Sequence, residues 1–207
     1  MSLDDLAIIC GTDKSSIIHN YTPIYEKHFN AIQNKELRLL EIGIDKGTSL
    51  QMWHKYFING KIFGIDINPP LQIPGVLCLQ GSQEDPQFLH AVHKEHGPFD
   101  IIVDDGSHFN THMRTSFDTL FPLLNPDGTY VVEDLHCCYW RHTQRPLFID
   151  YLKGLIGGAL YNYGITDKPG EAPYFDMSWG TPSKLETTIE SIEFYKDIVF
   201  IKKKKND

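Results

Sequence analysis

The sequence is poor in cysteine, and its cysteines are not arranged as metal ligands or redox pairs. The four residues, Cys10, Cys78, Cys137 and Cys138, include no C-x-x-C pair, which excludes zinc-ribbon and thioredoxin-type sites. Adjacent Cys137 and Cys138 are poorly placed to form a disulfide with each other. We therefore expect free thiols in a reducing compartment.

Positive charge and long apolar runs are also scarce. Lys and Arg number 19 against 27 Asp and Glu, a formal net charge of −8, which disfavours a nucleic-acid partner because phosphate binding needs clustered basic residues. The basic run at 202–205 is interpreted as a solvated strand end. No segment approaches the roughly 18 consecutive apolar residues of a membrane span. The acidic start of the chain does not resemble a secretory signal, so a cytoplasmic protein is expected.

Apolar strand-like runs alternate with helical periodicity from residue 38 onward. This alternation in a chain of 207 residues, 41% of them hydrophobic, predicts one domain with a parallel sheet covered on both faces. The predicted strands are 38–44, 61–67, 76–81, 99–104 and 129–134, and the predicted helices are 48–57, 86–96 and 110–124.

The two ends of the chain depart from this alternation. Residues 191–204 read as two strands joined at Lys196-Asp197, a C-terminal antiparallel hairpin that completes a seven-stranded, Rossmann-like, doubly wound α/β sheet. Residues 1–35 are predicted to form an N-terminal helical cap, with Thr22 as an N-cap, on the domain of residues 36–207. The aromatic-rich segment 160–182 is predicted to be a lid over the substrate.

A glycine-rich turn after the first strand predicts a nucleotide-like cofactor. Gly43 and Gly47 allow the backbone to approach a ligand, and the following helix offers free N–H groups. Asp66 ends the second strand, where a carboxylate accepts both hydroxyls of an adenosine ribose. Both NAD and S-adenosylmethionine fit these residues.

Three features favour S-adenosylmethionine. The turn lacks the third glycine of G-x-G-x-x-G, acidic Glu41 precedes Gly43 where it suits a cationic sulfonium, and the C-terminal hairpin is typical of methyltransferase-type sheets. Ser82 or Gln83, after the third strand, is expected to hydrogen-bond the adenine edge.

Four carboxylates follow two neighbouring strands. Asp104-Asp105 ends the fourth strand and Glu133-Asp134 the fifth, and adjacent strands lie only about 5 Å apart. Like charges at that spacing need compensation, which a hard cation such as Mg²⁺ supplies through oxygen ligands. We expect Asp105, Glu133 and Asp134 to bind Mg²⁺, with Asp104 facing the cofactor or serving the structure.

His108 lies three residues after Asp105 and is the predicted general base. A hydroxyl is a poor nucleophile until it loses its proton, and coordination to Mg²⁺ lowers its pKa. Imidazole is the usual group that accepts such a proton near neutral pH. His112, one helical turn further on, is expected at the mouth of the pocket.

These segments resemble a known enzyme family. Glu41-x-Gly43…Gly47, Asp66 and the segments "DDGSH" and "VVEDLH" look like a class I S-adenosylmethionine-dependent methyltransferase, in particular the catalytic domain of metal-dependent macrolide sugar O-methyltransferases of the mycinamicin and macrocin type. "GTDK" (11–14) and "YTPIYE" (21–26) also resemble that group, whose N-terminal helices close over the cofactor. The resemblance covers roughly residues 10–204, and Asp45 departs from it where many class I enzymes have glycine.

The resemblance implies an Mg²⁺-dependent O-methyltransferase that acts on a sugar or a glycosylated small molecule. A catechol- or phenol-type acceptor is the alternative within enzymes, and an NAD-dependent oxidoreductase is a further one. A non-catalytic S-adenosylmethionine-binding protein is the alternative from another class, although it requires neither the carboxylates nor His108. Monomer and homo-oligomer both remain open.

Overall fold

Seven strands form one mixed sheet in the computed structural model, which describes residues 1–140, 145–161 and 183–205. The strands are β1 (Leu37–Ile42), β2 (Gly60–Asp66), β3 (Val76–Gln80), β4 (Ile101–Asp104), β5 (Thr129–Val132), β6 (Ile189–Phe194) and β7 (Val199–Lys203). Their order across the sheet is β3-β2-β1-β4-β5-β7-β6. Strands β1 to β5 pair in parallel, and β7 pairs antiparallel with both β5 and β6.

Helices cover both faces of the sheet. They are α1 (Leu3–Cys10), α2 (Thr22–Phe29), α3 (Thr48–Tyr56), α4 (Pro86–His96), α5 (Asn110–Leu120), α6 (Phe148–Tyr161) and α7 (Lys184–Thr187). Short 3-10 helices lie at Asn30–Ile32, Phe121–Leu123 and Leu135–Tyr139. In the described part of the chain, none of these helices has the length and apolarity needed to cross a membrane.

Successive residues of the central strands enter opposite cores. In β1, Leu39 packs into the core that includes Trp53 of α3, whereas Leu40 packs into the core that includes Phe117 of α5. Because side chains alternate across a strand, a strand that is buried on both faces must be apolar at consecutive positions. This requirement explains the near-continuous apolar runs of the sequence.

The predicted fold class is confirmed. The seven strands and the antiparallel C-terminal pair are present, and the backbone N–H of Tyr195 donates to the carbonyl of Ile198 across the predicted Lys196-Asp197 turn. Asp197 has a φ of 64°, which the left-handed position of a tight turn requires. The four cysteines are free, as expected.

Two local predictions differ from the structure. The residue that caps α2 is Tyr21, not Thr22, because the Thr22 hydroxyl donates instead to Asp4 at 2.7 Å. Helix α6 covers residues 148–161, so the first two residues of the predicted lid, 160–161, are helical, and residues 148–159 had no predicted element. Most of the predicted aromatic lid, residues 162–182, lies outside the described residues.

The N-terminal helices share a core with the sheet. Leu3 of α1 and Tyr25 of α2 are fully buried in the core that contains Trp53 and Phe200. The Tyr25 ring lies 4.9 Å from the Trp53 ring, edge to face. Residues 1–35 are therefore integrated into the packing around the sheet, and the segment between α1 and α2 is held against the carboxyl ends of the strands.

The sheet changes direction of winding between β1 and β4, which places a cleft at their carboxyl ends. The chain runs from β1 outward to β2 and β3 and then returns to place β4 on the other side of β1. Ligands of doubly wound sheets bind at this switch point. Gly43 follows β1 there with a φ of 93°, directly beside the backbone that follows β4.

Replacement of Gly43 by Ala is expected to destabilise the fold more than the same change at Gly11. A Cβ at Gly43 would lie 2.7 Å from the Asp105 carbonyl carbon and 2.9 Å from Gly106 Cα, and neither backbone atom can move freely. Gly11 also has a positive φ, of 75°, but a Cβ there meets nothing within 4 Å, so Gly11→Ala reports the left-handed backbone alone. That cost is about 1–2 kcal/mol.

Urea denaturation of the two variants measures the difference. We expect Gly43→Ala to lose more free energy of unfolding than Gly11→Ala, because it adds a backbone clash to the same conformational cost. Equal losses would show that the two strand ends are not in close contact at Gly43.

Candidate functional site

A cavity of about 530 Å³ opens at the carboxyl ends of β1, β2, β3 and β4. Five of the predicted site residues line it: Gly43, Asp66, Ser82, Gln83 and Asp105. His112 also lines it, as expected. The predicted cofactor-binding residues Glu41, Gly47 and Asp104 do not line this cavity, and each has a different place in the structure.

Asp66 holds the glycine-rich turn in position. One of its oxygens accepts hydrogen bonds from the backbone N–H of Ile44 at 2.8 Å and of Asp45 at 3.4 Å, and the other accepts from Asn68. Burial raises the pKa of Asp66, but these hydrogen bonds outweigh it and lower the pKa below its ordinary value. Asp66 therefore carries a negative charge at the edge of the cavity.

Asp104 does not line the cavity and lies between the sheet and α5. It is 1% exposed and accepts hydrogen bonds from Gln83 Nε2 at 3.1 Å and Tyr130 OH at 3.0 Å, and from the Ser116 hydroxyl. The other end of the Gln83 amide accepts from the backbone N–H of Ser107 at 2.6 Å. Of the two predicted roles of Asp104, this environment favours the structural one, since it braces Gln83 beneath the cavity.

Gly47 ends the glycine-rich turn, and Glu41 supports the turn from behind. Gly47 precedes α3 with a φ of 72°. Glu41 is fully buried and accepts a hydrogen bond from the Ser49 hydroxyl at 2.7 Å and a longer one from Trp53 Nε1 at 3.4 Å. It thereby joins the end of β1 to the first turns of α3.

Lys14 places its ammonium group among three acidic side chains. The Nζ atom lies 2.5 Å from Asp105 Oδ2, 2.7 Å from Glu133 Oε2 and 3.5 Å from Glu41 Oε1. The Lys14 side chain has no exposed surface. We call Lys14 with Glu41, Asp105 and Glu133 the inner cluster.

The inner cluster holds three acidic groups and one ammonium group, and burial changes the protonation of the acids. Burial alone lowers the pKa of Lys14, but the adjacent carboxylates raise it well above its ordinary value, so the ammonium stays charged. Burial raises the pKa of Glu41 to about 7, although Lys14 opposes that effect. Burial also raises the pKa of Asp105.

Asp105 also belongs to a second set of side chains, which faces solvent. His108 Nε2 lies 3.9 Å from Asp105 Oδ1 and 3.9 Å from Asp134 Oδ2. One ligand atom from each of these three residues falls within 4.8 Å of the others. We call Asp105, His108 and Asp134 the outer group.

The outer group depends on unusual backbone conformations. His108 has a φ of 58° and Asp134 a φ of 53°, which are uncommon for residues other than glycine. Such conformations persist only where the surroundings enforce them, and they cluster at functional sites. Here they turn the side chains that follow β4 and β5 towards each other.

The structure separates the two acids that follow β5. Asp134 joins the outer group, whereas Glu133 is 2% exposed and gives both oxygens to protein donors, Oε2 to Lys14 and Oε1 to the Tyr25 hydroxyl. The left-handed backbone at Asp134 turns its side chain away from that of Glu133, and this geometry accounts for the separation. The predicted metal ligands Asp105 and Asp134 are thus together, and Glu133 lies behind them.

Several residues of the N-terminal segment reach the site and were missed as site residues, and three of them contact the acids that follow β4 and β5. They are Lys14, His19, whose Nδ1 lies 3.9 Å from Asp134 Oδ1, and Tyr21, whose hydroxyl donates to the same oxygen at 2.7 Å. The only sequence signal for Lys14 and Tyr21 was the resemblance of "GTDK" and "YTPIYE" to family motifs, and His19 lies in neither segment. Spacing along the chain gives no such signal, because 91 residues separate Lys14 from Asp105.

Comparison with known proteins identifies relatives among sugar O-methyltransferases, although no protein-family model matches the chain. The chain is 33% identical to mycinamicin VI 2''-O-methyltransferase of Micromonospora griseorubida, over 99% of this chain and 53% of that protein. It is 36% identical to 8-demethyl-8-alpha-L-rhamnosyl tetracenomycin-C 2'-O-methyltransferase of Streptomyces olivaceus, over 99% of this chain and 55% of that protein. The chain therefore spans about half the length of these relatives.

A solved structure matches the whole fold. The MycE methyltransferase from the mycinamycin biosynthetic pathway, in complex with Mg and SAH, superimposes with a TM-score of 0.86 at 33% identity, over 100% of this chain and 54% of that one. The same methyltransferase in complex with Mg, SAH and mycinamycin VI gives a TM-score of 0.85. The predicted methyltransferase fold and the predicted resemblance are both confirmed.

The buried carboxyl group of Glu41 is expected to make stability depend on pH. Its folded pKa of about 7 exceeds its ordinary value of 4.5, so the folded state holds a proton that the unfolded state has lost between these pH values. The free energy of unfolding contributed by this group therefore falls as pH rises through that window, by up to about 3 kcal/mol. Glu41→Gln should remove this part of the pH dependence.

Chemical denaturation from pH 4.5 to pH 7.5 in EDTA tests this expectation. The difference in unfolding free energy between wild type and Glu41→Gln should change with pH in the stated direction. A difference that stays constant across the window would show that Glu41 titrates near its ordinary value.

Proposed function

We propose that this chain, which belongs to the class I methyltransferases, transfers a methyl group from S-adenosylmethionine to a hydroxyl of a sugar or glycosylated small molecule in an Mg²⁺-dependent reaction. The observation that carries the proposal is the position of the outer group. Asp105 belongs both to that group and to the wall of the cavity that Gly43 and Asp66 line. A methyl donor in the cavity would thus lie beside a set of acids and a base.

The cavity fits the proposed cofactor. The Asp66 carboxylate lies at the end of β2, where it is positioned for the ribose hydroxyls. Gly43 leaves the backbone open for close approach, and Ser82 and Gln83 line the far wall, where we place the adenine. Behind the cavity, Glu41 and Gly47 fix the glycine-rich turn. Asp104 fixes the side chain of Gln83.

The outer group fits Mg²⁺. Two carboxylates with oxygen atoms within 4.8 Å of each other suit an ion that binds oxygen ligands at about 2.0–2.1 Å. We propose Asp105, Asp134 and Glu133 as its protein ligands, as the sequence analysis expects, with Glu133 buried behind the other two. When bound, Mg²⁺ would lower the pKa of the acceptor hydroxyl and neutralise excess negative charge.

His108 is the proposed general base. Mg²⁺ prefers oxygen to nitrogen ligands, which leaves the imidazole available for proton transfer. Its Nε2 atom lies between the two carboxylates, and the side chain is 21% exposed, so an acceptor hydroxyl can reach it from solvent. His108 would accept the hydroxyl proton as the oxygen attacks the methyl group, and the nearby carboxylates would stabilise the resulting imidazolium.

The acceptor class is proposed from the relatives. Their names describe O-methylation of glycosylated compounds, among them a rhamnosyl tetracenomycin-C and mycinamicin VI. The shared fold and the sequence identity support a glycoside as the small-molecule substrate of this chain. The relatives are about twice as long as this chain, so the acceptor is proposed from the half of each relative that the chain matches.

His108→Ala is expected to slow turnover strongly without loss of cofactor binding. Activity should fall by roughly 10²–10⁴-fold, the usual contribution of a positioned base. S-adenosylhomocysteine should still raise the melting temperature of His108→Ala by mass action, whereas Asp66→Ala should lose most of that shift. Mycinamicin VI and the rhamnosyl tetracenomycin-C serve as acceptors, with EDTA and added Mg²⁺ as the metal control.

The outcomes separate the roles of the residues. Full wild-type activity in EDTA would end the proposed metal dependence, and stabilisation by NAD but not by S-adenosylhomocysteine would end the methyltransferase proposal. If His108→Ala loses Mn²⁺ binding, His108 is a metal ligand. If it stays folded and active, His108 is not the base.

A further inference from the structure

The start of α2 brings two tyrosine hydroxyls to the two acids that follow β5. Tyr21 caps α2, and the backbone N–H of Tyr25 donates to its carbonyl, so the two residues lie one helical turn apart on one face. The Tyr21 hydroxyl donates to Asp134 Oδ1 at 2.7 Å, and the Tyr25 hydroxyl donates to Glu133 Oε1. Each of the two adjacent acids therefore has a phenol partner from the same helix.

The Tyr21 contact holds an acid whose backbone conformation is uncommon. Asp134 has a φ of 53°, and a non-glycine residue keeps such a conformation only where its surroundings enforce it. Tyr21 binds Oδ1 of this residue, and Oδ2 lies 3.9 Å from His108 Nε2. The hydrogen bond thus fixes the direction of a carboxylate that faces the proposed base.

Both tyrosine rings are held in place by aromatic packing. Tyr21 is 2% exposed, and its ring stacks on the ring of His19 with centroids 5.2 Å apart. Tyr25 is fully buried, with its ring edge to face against Trp53 at 4.9 Å and Phe200 at 5.3 Å. Because protein cores are closely packed, the hydroxyl groups have fixed positions relative to the acids.

We infer that Tyr21 and Tyr25 are positioning residues of the metal site, which orient Asp134 and Glu133 for a divalent cation and so raise its affinity. The inference rests on the proposed function, in which both acids are Mg²⁺ ligands. The phenols act through the carboxylates and need not touch the ion. Since a phenol has an ordinary pKa near 10, it donates a hydrogen bond at neutral pH without adding negative charge to the site.

Mn²⁺ binding by calorimetry, with the ion as a probe of the Mg²⁺ site, tests the inference on the full chain. Tyr21→Phe and Tyr25→Phe each remove one hydroxyl and keep the buried ring. We expect the Kd for Mn²⁺ to rise by about 10–100-fold in each variant, the usual effect of losing a group that orients a metal ligand. The Mg²⁺ concentration that gives half-maximal activity should rise by a similar factor.

Binding of S-adenosylhomocysteine in EDTA separates positioning from a general structural role. The described lining of the cavity includes neither Tyr21 nor Tyr25, so both variants should keep the wild-type Kd for this compound. A parallel loss of S-adenosylhomocysteine binding and Mn²⁺ binding would show that the fold around the site has loosened, and it would overturn the inference.

Tyr56→Phe is the matched control. Tyr56 belongs to the same core as Tyr21 and Tyr25 and is 1% exposed, and within the described part of the chain its hydroxyl has no hydrogen-bond partner. The change removes the same group without touching a metal ligand, so we expect the wild-type Kd for Mn²⁺. A loss of Mn²⁺ affinity equal to that of the other two variants would overturn the inference.

The remaining outcomes distinguish the inference from the proposed function. A folded Tyr21→Phe or Tyr25→Phe variant with the wild-type Kd for Mn²⁺ overturns the positioning role of that tyrosine. Unchanged binding in both variants, with Mn²⁺ still bound by wild type, overturns the inference and leaves the proposed function intact. A wild-type chain that binds no Mn²⁺ overturns the proposed metal dependence, and this inference with it.

Discussion

The buried ammonium group of Lys14 is the interaction on which the arrangement of the site depends. Three acids at the ends of three neighbouring strands cannot be buried together without compensation, because the desolvation of each charge costs several kcal/mol. Lys14 provides that compensation from a loop that precedes the sheet in the chain. The N-terminal segment is therefore required by the charge of the strand ends, and the shared core of α1, α2 and α3 holds it there.

The residues at the carboxyl ends of the strands form a buried part and an accessible part, and the two parts have different roles. Behind the ends, Lys14, Glu41, Glu133 and the Asp104–Gln83 contact are closed to solvent and fix the backbone around the cavity. In front, the outer group is accessible and depends on left-handed backbone at His108 and Asp134. Asp105 belongs to both parts. A change in the buried support is consequently transmitted to the proposed reaction centre through this carboxylate.

Much of the fold and many of the site residues could be predicted from the sequence. The features that could not be predicted have a physical explanation. Periodicity predicts the sheet because parallel strands need apolar residues on both faces, and the acids stand out because they end those strands. The direction in which each acid points is not in the pattern. Glu133 and Asp134 are adjacent acidic residues, so the sequence pattern does not distinguish their roles. In the structure, the left-handed backbone at Asp134 and the contacts of Glu133 with Lys14 and Tyr25 direct the two side chains to different places. Lys14 itself is a long-range partner, which no local pattern can assign.

The position of a bound metal ion tests the account most directly. A crystal of the wild-type chain with S-adenosylhomocysteine and Mn²⁺, measured at a wavelength where Mn²⁺ scatters anomalously, locates the ion without reference to activity. The account predicts one peak among Asp105, Glu133 and Asp134, beside His108. A peak away from these three carboxylates, or no peak, would contradict it.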